Sequence, residues 1–372
     1  MNKRRRITVA ALSASAVLAC GLLAAPWAPR LSTQVSGDAA LAETVRPLLQ
    51  KPADKLSVAY LEDGTVRIAG FGADERTEFE IGSVSKTFTA ALLADAVERG
   101  EVTLETTVAE ILGPDLKDPE AEIGTVTLAE LASHRSGLPR LATDPGALVS
   151  SFLNSALRRD PYTAPPAEVI EHAQSASLGG RGTVAYSNLG YAFLGQLLAK
   201  EAGMDYADLL QERILEPLGM KDTYVPVTAG NLRPDAPTGR AASGLPHAAW
   251  TAGGGAPMGG IRSTAADMSL YLQALLAETA PGSAALEPRW DTGEGGGDGG
   301  EGGGGGDEQV GLAWFTQVSS STGRAATWHN GQTGGFSAMV AMDREAGTAV
   351  LILSSVAAGQ EEAALALLKE GL

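Results

Sequence analysis

Ser83 stands three residues ahead of Lys86 in Ser83-Val84-Ser85-Lys86, and the chain holds no second Ser-x-x-Lys. At the start of a helix, residues three apart share one face, which brings the lysine amine within reach of the serine hydroxyl. A hydroxyl is a poor nucleophile until a base takes its proton, and a desolvated lysine helps to do this. The helix N-terminus adds a backbone N–H and the positive end of the dipole where an oxyanion would form. The spacing alone also arises by chance. Its position at an expected strand-to-helix junction is what gives it weight.

Tyr186-Ser187-Asn188 is the only Tyr-x-Asn, and His329-Asn330-Gly331 is the only His-x-Gly. A phenol beside ammonium groups has its anion favoured, so Tyr186 could act as base towards Ser83 and then as acid to a leaving group. Asn188 offers an amide able to grip a peptide-like carbonyl. Gly331 lets a ligand approach the backbone of its strand closely, and the N–H of Gln332 could complete an oxyanion hole. Read singly, these are equally a core tyrosine, a turn asparagine and a structural histidine at a strand end. His134, His172 and His247 show no metal-ligand spacing with His329, and Cys20 is the only cysteine. No metal site, no cysteine nucleophile and no cofactor are expected.

These residues need elements to hold them. Leu56 to Leu61 reads as a strand, Asp63-Gly64 as a hairpin turn, and Thr65 to Ala69 as the returning strand. Phe88, Leu92 and Ala96 recur at four-residue spacing from Ser83 to a stop at Gly100. From about 100 to 290 helices predominate, clearest at Leu189–Ala199, Tyr206–Ile214 and Thr264–Ala277, the last opened by Thr264 and Asp267 as a capping pair. Strand patterns resume at Val310–Val318, Ala325–His329, Ser337–Met342 and Thr348–Leu353, followed by a helix over Glu361–Glu370. Strands from both ends with helices between them imply an α+β fold: one antiparallel sheet flanked by helices, with a mainly helical insertion. Residues 293–306 are almost all glycine and can bury no apolar surface, so a flexible solvated loop is expected there.

Lys3, Arg4, Arg5 and Arg6 precede an apolar run from Ile7 to about Ala28, the order of an export signal or N-terminal anchor within residues 1–37. Cys20, after Val17-Leu18-Ala19, is the residue that a lipid would modify. The hydrolase domain is expected over 38–372, outside the cytoplasm, touching a membrane only through residues 1–28 if these are uncleaved or lipidated. Residues 1–37 carry five basic residues and no acid, leaving 23 Lys and Arg against 44 Asp and Glu, a balance of −21. Such a surface repels phosphate backbones, which argues against a nucleic-acid partner.

The segments FEIGSVSKTFTAALLADAVERGEVTL (79–104), LASHRSGLP (131–139), YSNLGYAFLGQLLAK (186–200), LLQERILEPLGMKDTY (209–224), GGIRSTAADM (259–268) and HNGQTGGFSAMVAM (329–342) resemble those of class C beta-lactamases and their D-alanyl-D-alanine carboxypeptidase and esterase relatives. The resemblance runs over about 40–372, broken at the glycine-rich stretch. It implies a beta-lactamase/transpeptidase-like fold, with a cleft between the sheet and a mainly helical subdomain. It also implies that Ser83 is acylated beside Lys86, that Tyr186 shuttles the proton, and that the N–H groups of Ser83 and Gln332 form the oxyanion hole. His329 would flank the site from its strand. One departure is that class C lactamases carry Lys-Thr-Gly where this chain has His329-Asn330-Gly331. A neutral imidazole holds a substrate carboxylate less firmly than a fixed charge does. The expected protein is therefore an exported serine hydrolase acting on a small-molecule or peptide acyl donor. A D-alanyl-D-alanine carboxypeptidase or related peptidase or esterase leads, with a class C-type beta-lactamase and a non-catalytic penicillin or cell-wall-peptide binder as alternatives.

Overall fold

The computed structural model describes residues 28–293, 308–319 and 323–372. The expected leader up to residue 27, with Cys20, lies outside the described residues, as does the glycine-rich loop beyond Gly293. Nine strands form one antiparallel sheet in the order β1-β3-β2-β12-β11-β10-β9-β8-β7. Strands β1 (Val35–Gly37), β2 (Leu56–Glu62) and β3 (Thr65–Phe71) come from the first part of the chain. Strands β10 (Ala325–Gln332), β11 (Ser337–Asp343) and β12 (Thr348–Ser354) come from the last, and β2 joins β12 in the register Leu56↔Ser354. The sheet's far edge is β7 (Trp290–Asp291), β8 (Glu308–Val310) and β9 (Phe315–Val318).

Helices cover both faces, which is why Leu56 to Leu61 is buried throughout and carries one polar residue, Ser57, whose hydroxyl donates to the Asp74 carbonyl. Val58 and Tyr60 pack with Leu41 and Val45 of α1 (Ala39–Val45) and with Leu367 of the terminal helix Glu361–Glu370. Ala59 and Leu61 face the larger core, which contains α2 (Ser85–Glu98) and the helical subdomain. That subdomain includes α3 (Pro145–Ala156), α4 (Pro166–Ser175) and α5 (Asn188–Ala202), while α6 (Ala265–Leu276) packs on the sheet against β2 and β12. The terminal helix Glu361–Glu370 is α7 and matches the sequence pattern along its whole length.

Four expectations need correction. The strand read over Val310–Val318 is two strands, β8 and β9, because the chain turns at Gly311, whose N–H bonds the Trp314 carbonyl at 2.8 Å. The helix read over Tyr206–Ile214 is α-helical only to Leu210 and then widens to a π turn over Gln211–Leu215. The strand carrying His329 runs on to Gln332, with Gly331 paired to Ala338. The capping pair on α6 is half formed: Thr264 accepts from the Asp267 N–H, while the Asp267 carboxylate takes the Asp222 N–H (2.7 Å) and the Thr223 hydroxyl (2.8 Å).

Candidate active site

Ser83 sits in a tight turn, Gly82–Val84, between β4 (Phe79–Glu80) and α2. A two-residue antiparallel pair holds the incoming strand: Phe79 faces Ser263 and Glu80 faces Arg262 of β6 (Arg262–Ser263). Under it lies a buried charge cluster. The Arg262 guanidinium, fully buried, bonds the Glu78 carboxylate and, at 2.7 Å, that of Glu80, and also donates to the Pro237 carbonyl at 3.0 Å. Burial pushes the Glu80 carboxyl above its usual range, with Arg262 opposing the shift. Glu80 also accepts the Trp250 N–H at 2.8 Å, which ties the cleft wall to the strand that leads to Ser83.

Lys86 projects from α2 into the core with no solvent exposure. Its Nζ lies 3.1 Å from Ser83 Oγ, 2.8 Å from Asn188 Oδ1 and 2.6 Å from the Met258 carbonyl oxygen. Two of these partners are oxygens that only accept, so they fix two N–H groups of the amine. The third direction points at the Ser83 hydroxyl, where an ammonium donates and a neutral amine accepts. The arrangement is thus suited to moving the Ser83 proton either way. Asn188 is the first residue of α5, a helix whose N-cap, Ser187, accepts from the Gly190 N–H at 2.9 Å.

Tyr186 precedes that cap. The Lys86 ammonium lies 4.9 Å from its ring centroid and the Arg140 guanidinium 5.1 Å. His134 clamps the same residue on both flanks. Its carbonyl accepts from the Ala185 N–H at 2.8 Å, its ring Nδ1 from the Ser187 N–H at 3.1 Å, and its ring lies 4.4 Å from that of Tyr186. Accepting through Nδ1 puts any proton of the neutral ring on Nε2, and His134 adopts this position at a left-handed φ of 60°. Desolvation first, then the charges of Lys86, His329 and Arg140, hold its pKa well below the usual value of 6.5.

Across the cleft runs the end of β10. Gly331 and Gly82 let this strand approach the serine turn: a Cβ on Gly331 would lie 2.9 Å from the Ser83 nitrogen, and one on Gly82 would lie 2.6 Å from the Gln332 nitrogen. Asn330, Gly331 and Gln332 line the cleft together with Ser83, Asn188 and Arg140. His329 is buried to 1 % exposure on the same strand; its Nδ1 lies 2.6 Å from the Asn330 carbonyl and its ring 5.9 Å from that of Phe315. The fold therefore brings Ser83, Lys86 and Asn188 into contact, places Tyr186 against Lys86, and leaves His329 behind the cleft wall. His134, Arg140, Met258 and the Arg262 cluster were not singled out from the residues. His134 lies in LASHRSGLP, Arg140 directly follows it, and Arg262 lies in GGIRSTAADM, so these stretches were visible while their contacts, made across the fold, were not.

The Beta-lactamase family model matches residues 41–370. D-alanyl-D-alanine-carboxypeptidase/endopeptidase AmpH of Escherichia coli K12 is 30% identical over 200 residues, covering 53% of this chain and 48% of that protein. A beta-lactamase of Providencia stuartii is 30% identical over 202 residues, covering 50% and 46%. These matches span about half the length of either relative. A beta-lactamase/D-alanine carboxypeptidase from Pseudomonas syringae superposes with a TM-score of 0.71 at 18% identity, over 90% of this chain and 99% of that one. The D-alanine carboxypeptidase AmpC from Burkholderia cenocepacia does so with a TM-score of 0.68 at 23% identity, over 89% and 99%. The segments that build the cleft all fall inside the matched span, and the chain belongs to the beta-lactamase family.

Proposed function

We propose that the protein is a serine hydrolase that works through an acyl-enzyme on Ser83, most nearly of the D-alanyl-D-alanine carboxypeptidase or esterase type. The observation that carries this reading is the Lys86 amine, stripped of water and held by Asn188 Oδ1 and the Met258 carbonyl while it contacts Ser83 Oγ. In the first half-reaction Ser83 Oγ attacks the carbonyl carbon, and its proton passes to the Lys86–Tyr186 pair. The two cations beside the Tyr186 ring stabilise negative charge on that residue as the proton is taken up and then handed to the leaving group. The carbonyl oxygen, turning into an oxyanion, meets the N–H groups of Ser83 and Gln332, which Gly82 and Gly331 allow to converge. Water then repeats the sequence and frees Ser83. Asn188, bound to Lys86 through its oxygen, presents its amide at the cleft to the acyl donor.

The domain from residue 38 onward is proposed to act outside the cytoplasm, a reading supported by the basic-then-apolar order of residues 3–28. Among the described residues no helix is long and apolar enough to cross a membrane. The family names attached to the relatives include both carboxypeptidase and beta-lactamase. The absence of Lys-Thr-Gly and the burial of His329 favour the former. The test is fluorescent penicillin labelling of the wild type and of Ser83→Ala, followed by turnover of a D-Ala-D-Ala peptide, a short-chain p-nitrophenyl ester and a chromogenic cephalosporin. Labelling that survives Ser83→Ala would overturn the nucleophile assignment. Cephalosporin turnover far above that of the other two substrates would move the assignment to beta-lactamase.

A further inference from the structure

Beside the catalytic cleft, under α3, lies a second cavity of about 240 Å³. Its wall includes Leu141, Leu148, Tyr162, Val169, Leu189 and Met258. Pro161, Tyr162 and Met258 line both this cavity and the cleft that holds Ser83, so the two spaces share one wall. Met258 is the residue whose carbonyl holds Lys86, which places the shared wall directly behind the catalytic amine. Two polar side chains on the wall are already engaged. The Ser151 hydroxyl donates to the Pro161 carbonyl at 3.2 Å, and His172 Nε2 lies 3.2 Å from the Asp144 carboxylate. Apolar side chains make up the larger part of the wall, so the space favours a ligand that brings mainly apolar surface.

We propose that this cavity is the acyl-group subsite of the Ser83 cleft and that it takes an apolar chain or single ring. This rests on the acyl-enzyme reading above. An engineered apolar cavity of about 150 Å³ holds benzene, so this one accommodates roughly eight to ten carbon atoms. The acyl side of the substrate is assigned from where the leaving group must go. Tyr186 hands a proton to the leaving group, and none of the residues packed on Tyr186 (Lys86, His134 and Arg140) lines the cavity. The group that stays bonded to Ser83 is the one left to extend past Tyr162 and Met258. The preferred substrates are then esters or amides of a medium-chain or aryl-bearing acid.

The experiment is kcat/KM for p-nitrophenyl acetate, butyrate, hexanoate and octanoate with the full chain, its Ser83→Ala variant and two cavity-filling variants. Ala147→Phe fills the space from α3 and Ala192→Leu fills it from α5, so one remains informative if the other fails to fold. Each buried methylene is worth a factor of about four. With partial burial the wild type should gain at least about 100-fold from acetate to octanoate. Both filled variants should keep acetate turnover and lose about 10-fold or more on octanoate. A flat or falling chain-length series, or equal losses on all esters, would overturn the subsite while leaving Ser83 chemistry intact. A chain-length gain seen only when alkyl groups are lengthened on the alcohol side would overturn the acyl assignment. Failure of penicillin and every ester to modify Ser83 would remove the hydrolase reading itself, and the subsite with it.

Discussion

Helices α2 and α3 are both rich in apolar residues, and their surroundings are opposite. In α2 every residue from Ser85 to Ala96 is buried, because alanines at 90, 91, 94 and 96 let neighbouring elements approach on all sides. In α3 no residue is buried; Leu148, Val149, Phe152 and Leu153 are 50, 59, 73 and 52% exposed. Its partly covered positions are Ala147, Ser151 and Asn154, so small and polar residues face the protein while its largest apolar side chains are mostly exposed. Apolar content therefore says little about where a helix sits. What locks α2 is small side chains and a charged residue with three partners, whereas α3 is held by capping at Asp144 and a few polar contacts. Segments with few buried apolar contacts open first, so α3 should be the more readily displaced cover of the cleft region.

The contrast is broken most severely at Lys86. Lys86→Ala should lower kcat/KM on the order of 10,000-fold or more, since it removes the partner of Ser83 and strands Asn188 Oδ1 and the Met258 carbonyl together. Retained turnover in a folded variant would show that Tyr186 alone serves Ser83. Tyr186→Phe keeps the ring between Lys86 and Arg140 and removes only the hydroxyl; the expected loss is ~100- to 10,000-fold, read from single-turnover acylation. Activity unchanged by that substitution would make Lys86 the sole base.

Arg262→Ala leaves Glu80 buried without a cation and Glu78 with only the more distant Arg233, and should cost about 3–5 kcal/mol in denaturant unfolding. A change under about 1 kcal/mol would mean that the cluster is far wetter than its burial implies. His134 gives a smaller effect with a definite sign. Its folded pKa is depressed, so the unfolded chain takes up the proton first; the stability it contributes is present above about pH 6.5 and is lost as pH falls below that. His134→Asn keeps an acceptor for the Ser187 N–H and removes the titration, so its melting temperature should fall less steeply than the wild type's below pH 6.5. Parallel curves would show that His134 does not change protonation on unfolding. Smallest of all, Phe152→Ser on α3 should alter unfolding free energy by no more than about 0.5 kcal/mol. A loss of several times that would mean the helix packs against a partner in solution.

Much of this was legible beforehand for a physical reason. Ser83, Lys86 and Asn188 each sit at a helix start, where the chain's own pattern announces the turn that presents them. The α7 boundaries and the β2–β3 hairpin were equally local. His134 was not legible, because its work is done by a bond to Ser187, 53 residues away, and by a φ that nothing in Ser133-His134-Arg135 signals. The break between β8 and β9 was missed since Val310, Leu312, Trp314 and Phe315 are buried on both sides of the turn, which gives one unbroken apolar run. The outward placement of Leu148, Val149, Phe152 and Leu153 on α3 has no signal in the local sequence. It is the Ser151 hydroxyl, bonded to the Pro161 carbonyl, that marks which side of the helix meets the protein.

The pairing of β2 with β12 has a consequence in time. Leu56 meets Ser354 across nearly the whole chain, so the hairpin made first must wait, one edge unpaired, until the last strands arrive. Closing so long a loop is an entropic cost met before any contact rewards it, and such topologies fold slowly. Through that interval the largely apolar edge Leu56–Leu61 is a template for any other extended chain. The serine turn inherits the delay, because Gly82 and Gly331 can converge only when β10 has been laid beside β11 and β12. A nascent chain of this protein stays without its catalytic cleft until β10, β11 and β12 are free to fold.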